Sequence, residues 1–301
     1  MDDRSAVMPG IGLVAAVVAG ISVILEWGAT DRGTHHGLED VGGSFFGVMV
    51  VLGAVLGAVV AVSGLVNGDR AVAGGRLQRS HLLMAAGGAV IGPALAFVLS
   101  PTADYTAWKP SGIGGWLAAA MGVVMLLASL GWARRRPVTE AASVSHEVDR
   151  SFGIGLLVVG IVGVLVPFFA WLSLEVSADT TFRYGAFQGG LRGVGIIAFA
   201  SGVLTLLAGA WIVYRFDRPV VANRGGLGAE HLGLAAAATG LSTAIAFMLS
   251  IIRTDFDQTV DPGPALYLYL FAILLAGFFS LTALLVPGAP ETDARGEDPH
   301  E

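Results

Sequence analysis

The chain has 301 residues, 54% hydrophobic and only 13% charged, with a mean hydropathy of +0.74. An ordinary soluble domain carries about twice that share of charge, so this composition excludes one. The absence of cysteine removes disulfides, thiolate metal sites and cysteine nucleophiles. The net charge of −6 argues against nucleic acid as a partner, because that needs a basic face.

The N-terminus, Met1-Asp2-Asp3-Arg4, is acidic, and no small-residue cleavage motif follows the first apolar run before Glu26-Trp27. That run is therefore expected to be a retained helix and not a cleaved signal. A hydrocarbon core about 30 Å thick needs roughly 17 to 25 apolar residues per helix. Eight stretches qualify in chain order: 10–27, 44–66, 82–99, 112–133, 152–172, 193–214, 231–252 and 264–286. None alternates apolar and polar residues as a barrel strand does. The fold class expected is all-α, a polytopic membrane protein with eight transmembrane helices in two parallel four-helix repeats.

The repeat is read from the residues themselves. Leu77 to Ser100 is LQRSHLLMAAGGAVIGPALAFVLS, and Leu227 to Ser250 is LGAEHLGLAAAATGLSTAIAFMLS. In both, a His opens an apolar run that ends in Ala-Phe-x-Leu-Ser. Asp69-Arg70 is echoed by Asp217-Arg218, and Gly10-Ile11-Gly12-Leu13 by Gly153-Ile154-Gly155-Leu156. The expected division is a first repeat at 1–136, a cytoplasmic linker at 137–150, a second repeat at 151–287 and a disordered acidic tail at 288–301. Four spans return the chain to its starting side, so the halves are expected to be related by a pseudo-twofold axis along the membrane normal.

Basic residues set the orientation. With the N-terminus inside, the inner segments hold Arg4, Arg70, Arg76, Arg79, Arg134, Arg135, Arg136, Arg150, Arg215, Arg218, Arg224 and Arg295. The outer loops hold only Arg32, Lys109, Arg183, Arg192 and Arg253. Both termini are thus expected on the cytoplasmic side of the cell membrane.

Small residues recur at four-residue spacing, as in Gly12/Ala16/Gly20, Gly53/Gly57, Gly88/Gly92, Ser201/Thr205/Gly209 and Ala236/Gly240/Ala244. Such stripes let helix backbones approach closely, and they are expected to face helices of the same chain. Contact with a second copy is the sharper alternative.

Candidates for chemistry are few. The deep parts of the spans carry essentially no ionisable residue, whereas a proton-coupled carrier usually holds a carboxylate near the midplane. His81 and His231 occupy matching positions in the two copies near the inner boundary and are the weak candidates for a functional pair. Two imidazoles from different helices are able to ligate haem iron, but these two are shallow, and a plain interfacial role is preferred. His36 and Asp40 would share a helix face and suit a metal, although Gly33 and Gly37 favour a solvated loop. Asp255, Asp257 and Asp261 lack the glycine and terminal glutamate of an EF-hand. Pro93 and Pro167 are expected to kink their helices. The Gly-rich piece at 224–228 lacks the Walker lysine of a phosphate loop. No catalytic residue, cofactor or metal site is assigned.

The sequence reading therefore favours a non-enzymatic permease or channel-like protein that moves a small solute between the repeats. The alternative is a non-catalytic scaffold or a subunit of a larger membrane complex. The partners expected are the lipid bilayer and a membrane protein or second copy. A continuous polar cavity between the halves would favour transport, whereas tight packing with only Ala, Val, Leu and Gly between them would take away the main support for the permease.

Overall fold

The computed structural model describes residues 3–30, 33–38, 44–68, 77–100, 112–133, 146–177, 180–188, 191–216, 229–253 and 259–285. The helices are α1 (Asp3–Ser22), α2 (Ser44–Asn67), α3 (Arg79–Leu99), α4 (Ile113–Ala133), α5 (His146–Leu165), α6 (Arg192–Phe216), α7 (Ala229–Arg253) and α8 (Pro264–Leu285). Five short strands accompany them: β1 (Glu26–Thr30), β2 (Gly33–His36), β3 (Ala170–Ser177), β4 (Thr180–Gly185) and β5 (Thr259–Pro262).

Seven of the helices, α2 to α8, are long and apolar enough to cross a membrane. The apolar part of α1, Ala6–Ser22, is shorter than any of them. Charged residues in the eight helices stand only in their terminal turns, so each helix body is apolar on its inner and outer faces alike. On α2, for example, Leu52, Val55, Val59, Val62 and Val66 are exposed. A water-soluble protein seldom exposes apolar surface so continuously, whereas in a bilayer that surface meets lipid. The architecture is that of a multi-pass membrane protein.

The contacts follow one order twice. α1 packs on α2 and α4, and α3 packs on α2 and α4; α5 packs on α6 and α8, and α7 packs on α6 and α8. The two sets of four helices meet through α3 with α7, flanked by α3 with α6 and by α2 with α7. The odd-numbered helices end, and the even-numbered ones begin, at the end of the molecule that carries the strands.

The strands correct the all-α expectation. β1 and β2 form an antiparallel hairpin, and β3 pairs antiparallel with both β4 and β5. Backbone outside a hydrocarbon core must still pair its polar groups, and short strands do so where the chain leaves a helix. Two expected spans therefore end early. The first helix covers Asp3–Ser22 and not 10–27, and Glu26-Trp27 enters β1. The fifth covers His146–Leu165 and not 152–172, so it also takes in the end of the expected linker. Pro167 sits in a 3-10 turn at Val166–Phe168 that closes α5, so it ends this helix and does not kink it. Pro93 lies inside α3, which runs on to Leu99. The remainder of the linker, 137–145, and the tail at 288–301 lie outside the described residues.

A buried tryptophan closes the first helix of each set. Trp27 Nε1 donates to Ser22 O at 2.9 Å, and Trp171 Nε1 donates to Val166 O at 3.1 Å. Both indoles are completely buried. Each carbonyl also accepts a backbone N–H, Ser22 O from Leu25 at 3.2 Å and Val166 O from Phe169 at 3.0 Å, so the indole adds a second bond where the helix turns into the strand. The main chain of each tryptophan then accepts from the residue that starts a later helix: Gly112 N–H donates to Trp27 O at 3.3 Å, and Gly263 N–H to Trp171 O at 2.8 Å. Phe97 packs on Trp27 with ring centroids 5.1 Å apart, and Phe247 on Trp171 at 6.1 Å.

Replacing either indole by a smaller ring without the donor, Trp27→Phe or Trp171→Phe, should destabilise the protein by about 1–3 kcal/mol, through a lost buried hydrogen bond and the space the smaller ring leaves. Thermal unfolding of the detergent-solubilised protein measures this, and both variants should melt below wild type.

Candidate functional site

The seam between α3 and α7 holds the two residues singled out by the duplication. It is built from small residues. A Cβ on Gly88 would stand 2.6 Å from Ala235 O and 2.8 Å from Thr239 Oγ1. A Cβ on Gly92 would meet Thr239 O and lie 2.5 Å from Thr243 Oγ1. Real Cβ atoms do not come so close, so only glycine permits this approach. The hydroxyls facing the glycines are turned to their own helix: Thr239 Oγ1 donates to Ala235 O at 2.9 Å and Thr243 Oγ1 to Thr239 O at 2.8 Å. The seam is closed along this stretch.

His81 lies in the first turn of α3 and His231 in the first turn of α7. Both are buried, with relative exposures of 3% and 5%. Their rings stack with centroids 3.8 Å apart and planes inclined by 32°. The two rings thus meet across the seam, at the end of the molecule opposite the strands. Gln78 N–H donates to His81 Nδ1 at 3.0 Å, which ties the ring to the residue capping α3. Because Nδ1 accepts this bond, the proton of the neutral ring is on Nε2.

Stacking decides what the pair is able to hold. Rings whose centroids are only 3.8 Å apart, inclined by 32°, leave no space for a metal between them. Axial ligands of a haem have the macrocycle between them, and a separation of 3.8 Å leaves no room for it. The arrangement does not fit haem. It is an apolar, aromatic contact with titratable edges.

The first turn of α3 is tied down on its other side as well. Arg79 Nε donates to Ser63 Oγ and its Nη1 to Gly68 O, both at 2.8 Å. Gly68 has φ +67°, the left-handed conformation in which glycine ends a helix, and its N–H returns to Gly64 O at 2.8 Å. Arg79 therefore caps the C-terminus of α2, where its charge suits the helix dipole.

The other candidates do not assemble. His36 is exposed in β2, so the helical face it was to share with Asp40 is not formed, and Asp40 lies outside the described residues. Asp261 is exposed in β5, while Asp255 and Asp257 are outside the described residues, as are Asp69-Arg70, Asp217-Arg218 and the Gly-rich piece at 224–228. No group of three or more His, Cys, Asp or Glu able to hold a metal occurs among the described residues. The remaining small-residue stripes face helices of the same chain: Gly12 meets Leu83, Gly53 meets Val90, Gly57 meets Met125, Gly209 meets Leu157 and Gly240 meets Tyr269. An apolar groove of about 500 Å³ lies between α1 and α4, lined by Val7, Gly10, Ile11, Val14, Met121 and Val124, away from the seam.

Trp27, Trp171 and Tyr269 were missed in the sequence. The tryptophans stand at 27 and 171, an offset of 144, against 150 for the histidines, so direct alignment of the copies does not bring both sets into register. Tyr269 is completely buried, donates to Ala198 O at 3.2 Å, and uses the space left by Gly240. The strands had a readable signal, since Leu172-Ser173-Leu174-Glu175-Val176-Ser177 alternates apolar and polar residues.

Fold and site together define a multi-pass helical membrane protein whose two sets of helices close on a small-residue seam with a stacked histidine pair. No family model, curated protein or solved structure matches the chain.

The seam makes a contrast that is simple to measure. Gly88→Ala and Gly92→Ala should each destabilise the protein by about 1–3 kcal/mol through overpacking. Gly10→Ala, where a Cβ meets nothing within 4 Å, should stay within about 0.5 kcal/mol of wild type. Thermal unfolding of the three variants decides it, and equal effects would show the close approach to be unimportant.

Proposed function

We propose that this chain is a non-catalytic structural subunit of the cell membrane: two like four-helix bundles, fused in tandem and clamped face to face. The observation that carries this reading is the α3–α7 seam, where Gly88 and Gly92 bring two backbones together with no width for a solute. A permease path between the halves needs width there, lined by polar groups free to meet a substrate. The threonines at this seam bond to their own helices instead.

Tandem fusion is supported by paired features beyond the repeated sequence. The α2–α7 and α3–α6 contacts exchange under a twofold relation, and α3–α7 maps onto itself, as an isologous contact does. The indole-to-carbonyl caps of Trp27 and Trp171 match, as do the bonds from Gly112 and Gly263. On this reading α1 is the eighth span, the bundles cover 1–136 and 151–287, and both termini are cytoplasmic. Twelve of the 17 basic residues then fall on the inner side. A subunit with no buried Asp, Glu, Lys or Arg among the described side chains, and with apolar outer faces on its helices, presents lipid and other membrane proteins with the same surface. Its partner is a membrane protein held by packing of small and apolar residues.

Affinity isolation of the full chain from native membranes, with partners identified by mass spectrometry, tests the proposal beside a solute-flux assay in proteoliposomes. A reproducible stoichiometric membrane partner, with flux equal to empty liposomes, is the expected result. A partner-free protein that conducts small solutes would establish the permease instead.

A further inference from the structure

The three-stranded sheet of the second set has two unlike faces. Residues directly opposite one another in a sheet share a face, and neighbours along a strand do not. The register sets Leu172 opposite Tyr184 and Pro262, and Leu174 opposite Phe182, so these residues make one apolar and aromatic face. It sets Ser173 opposite Arg183 and Asp261, and Glu175 opposite Thr181, so the other face is polar and charged. We propose that this sheet is an interfacial anchor: its apolar face, with Phe182 of the edge strand β4 foremost, is immersed in the headgroup and upper acyl region of the leaflet at the strand end. The partner is the phospholipid surface itself. The inference rests on the membrane-spanning helices alone and goes beyond the structural-subunit reading.

Three observations carry it. Glu175, Thr181, Arg183 and Asp261 are exposed, whereas Leu172, Leu174, Tyr184 and Pro262 are half-buried, so the polar face looks out to water and the apolar face back towards the helices. β5 packs on α7 and β3 on α8, while β4 is the edge strand beyond β3, and Phe182 on its apolar face is 49% exposed. Secondly, this face continues a surface that already meets lipid. Exposed Ile154, Val158, Ile161 and Leu165 follow one another along α5 to Phe168 and Phe169, each 63% exposed. β4 ends beside them, for Ala186 N–H donates to Pro167 O at 3.1 Å. Thirdly, Trp116 and Tyr267 stand exposed in the first turns of α4 and α8, at the strand end. Tryptophan and tyrosine so placed mark the membrane–water interface. β5 leads directly into α8, so the sheet lies within about one helical turn, about 5 Å, of that level.

An element that is apolar on one side and charged on the other lies in the plane of the interface, with its apolar face about 5–10 Å into the boundary between headgroups and acyl chains. The depth marked by Trp116 and Tyr267 suits this arrangement. A protein partner would also cover such a face, but lipid already borders it along α5, and the apolar surface runs from one to the other. The hairpin of the first set, whose second strand is Gly33-Thr34-His35-His36, has no such row. Anchoring by a sheet therefore belongs to the second set, and it fixes the depth of that set in the leaflet.

The chain contains no cysteine, so single labels are introduced without a background. Spin labels are placed at Thr181→Cys, Phe182→Cys and Arg183→Cys, with Val158→Cys on α5 and Asp261→Cys on β5 as references. Each is read in the full chain in phosphatidylcholine nanodiscs, by its relaxation with oxygen, which concentrates in lipid, and with a nickel chelate, which stays in water. The label at 182 should respond several-fold more to oxygen than to nickel, as the label at 158 does. Those at 181 and 183 should respond the other way, as at 261, so that access alternates along β4. Nickel access at 182 equal to that at 183 overturns the anchor, because the sheet then stands in water. Exclusion of both reagents at 182 overturns it as well, because protein then covers the face. If Phe182→Cys does not fold, the wild-type chain in nanodiscs with a phospholipid photoreactive at the top of its acyl chain decides the question by mass spectrometry. Adducts on Phe168, Phe169 and Phe182 are expected, and their absence from Phe182 overturns the anchor. Neither readout depends on finding a protein partner or a solute, so failure here is distinguishable from failure of the structural reading.

Discussion

Helices in a bilayer cannot be gathered by the hydrophobic effect, because lipid is as apolar as a leucine side chain. Their association rests on close packing of backbones and on a few hydrogen bonds. The structure depends on this constraint throughout. Gly160 takes α5 onto Leu206 of α6, Gly202 takes α6 onto Gly163, and Gly88 and Gly92 take α3 onto α7. At each position a single Cβ would occupy space held by backbone or a hydroxyl. The large aliphatic residues stand outside this framework: Val14, Leu52, Val55, Val59 and Leu127 are exposed where lipid would be. Large side chains such as Leu83, Met125, Leu156 and Leu266 are buried too, so the contrast with a soluble protein lies in the apolar outer surface and in the glycines at the closest helix contacts.

The second demand comes from the helix ends, where backbone groups lack partners within the helix. Each end described in detail is closed by a particular side chain or turn. Trp27 and Trp171 take carbonyls at the ends of their helices, Arg79 and Gly68 finish α2, and His81 takes the N–H that precedes α3. The same residues link one helix to the next. Trp27 joins the end of α1 to the start of α4 through Gly112 and packs on Phe97 at the end of α3. At these ends capping and assembly are one task, because the group that closes one helix also contacts the next.

The seam gives this arrangement its functional meaning. Gly88 and Gly92 bring the backbone of α3 onto α7, and about two to three turns away along α3 His81 meets His231 ring to ring, so the closest approach and the aromatic contact lie on one seam.

Much of the fold is determined by the sequence alone. A helix body in a membrane satisfies its own backbone hydrogen bonds, so length and apolarity suffice to locate α2, α3, α4, α6, α7 and α8. The repeated His and Ala-Phe-x-Leu-Ser likewise made His81 and His231 candidates before any contact was known. Other features depend on groups distant in the chain and were decided only by the tertiary structure. The early ends of α1 and α5 follow from strands and from indoles that fold back over the last turn. The pairing of Gly88 and Gly92 with Thr239 and Thr243 needs the relative rotation of α3 and α7, which no periodicity within either helix contains. That the two histidine rings meet 3.8 Å apart depends on ring orientation as well. Sequence places a residue on a turn, and only packing aims its ring.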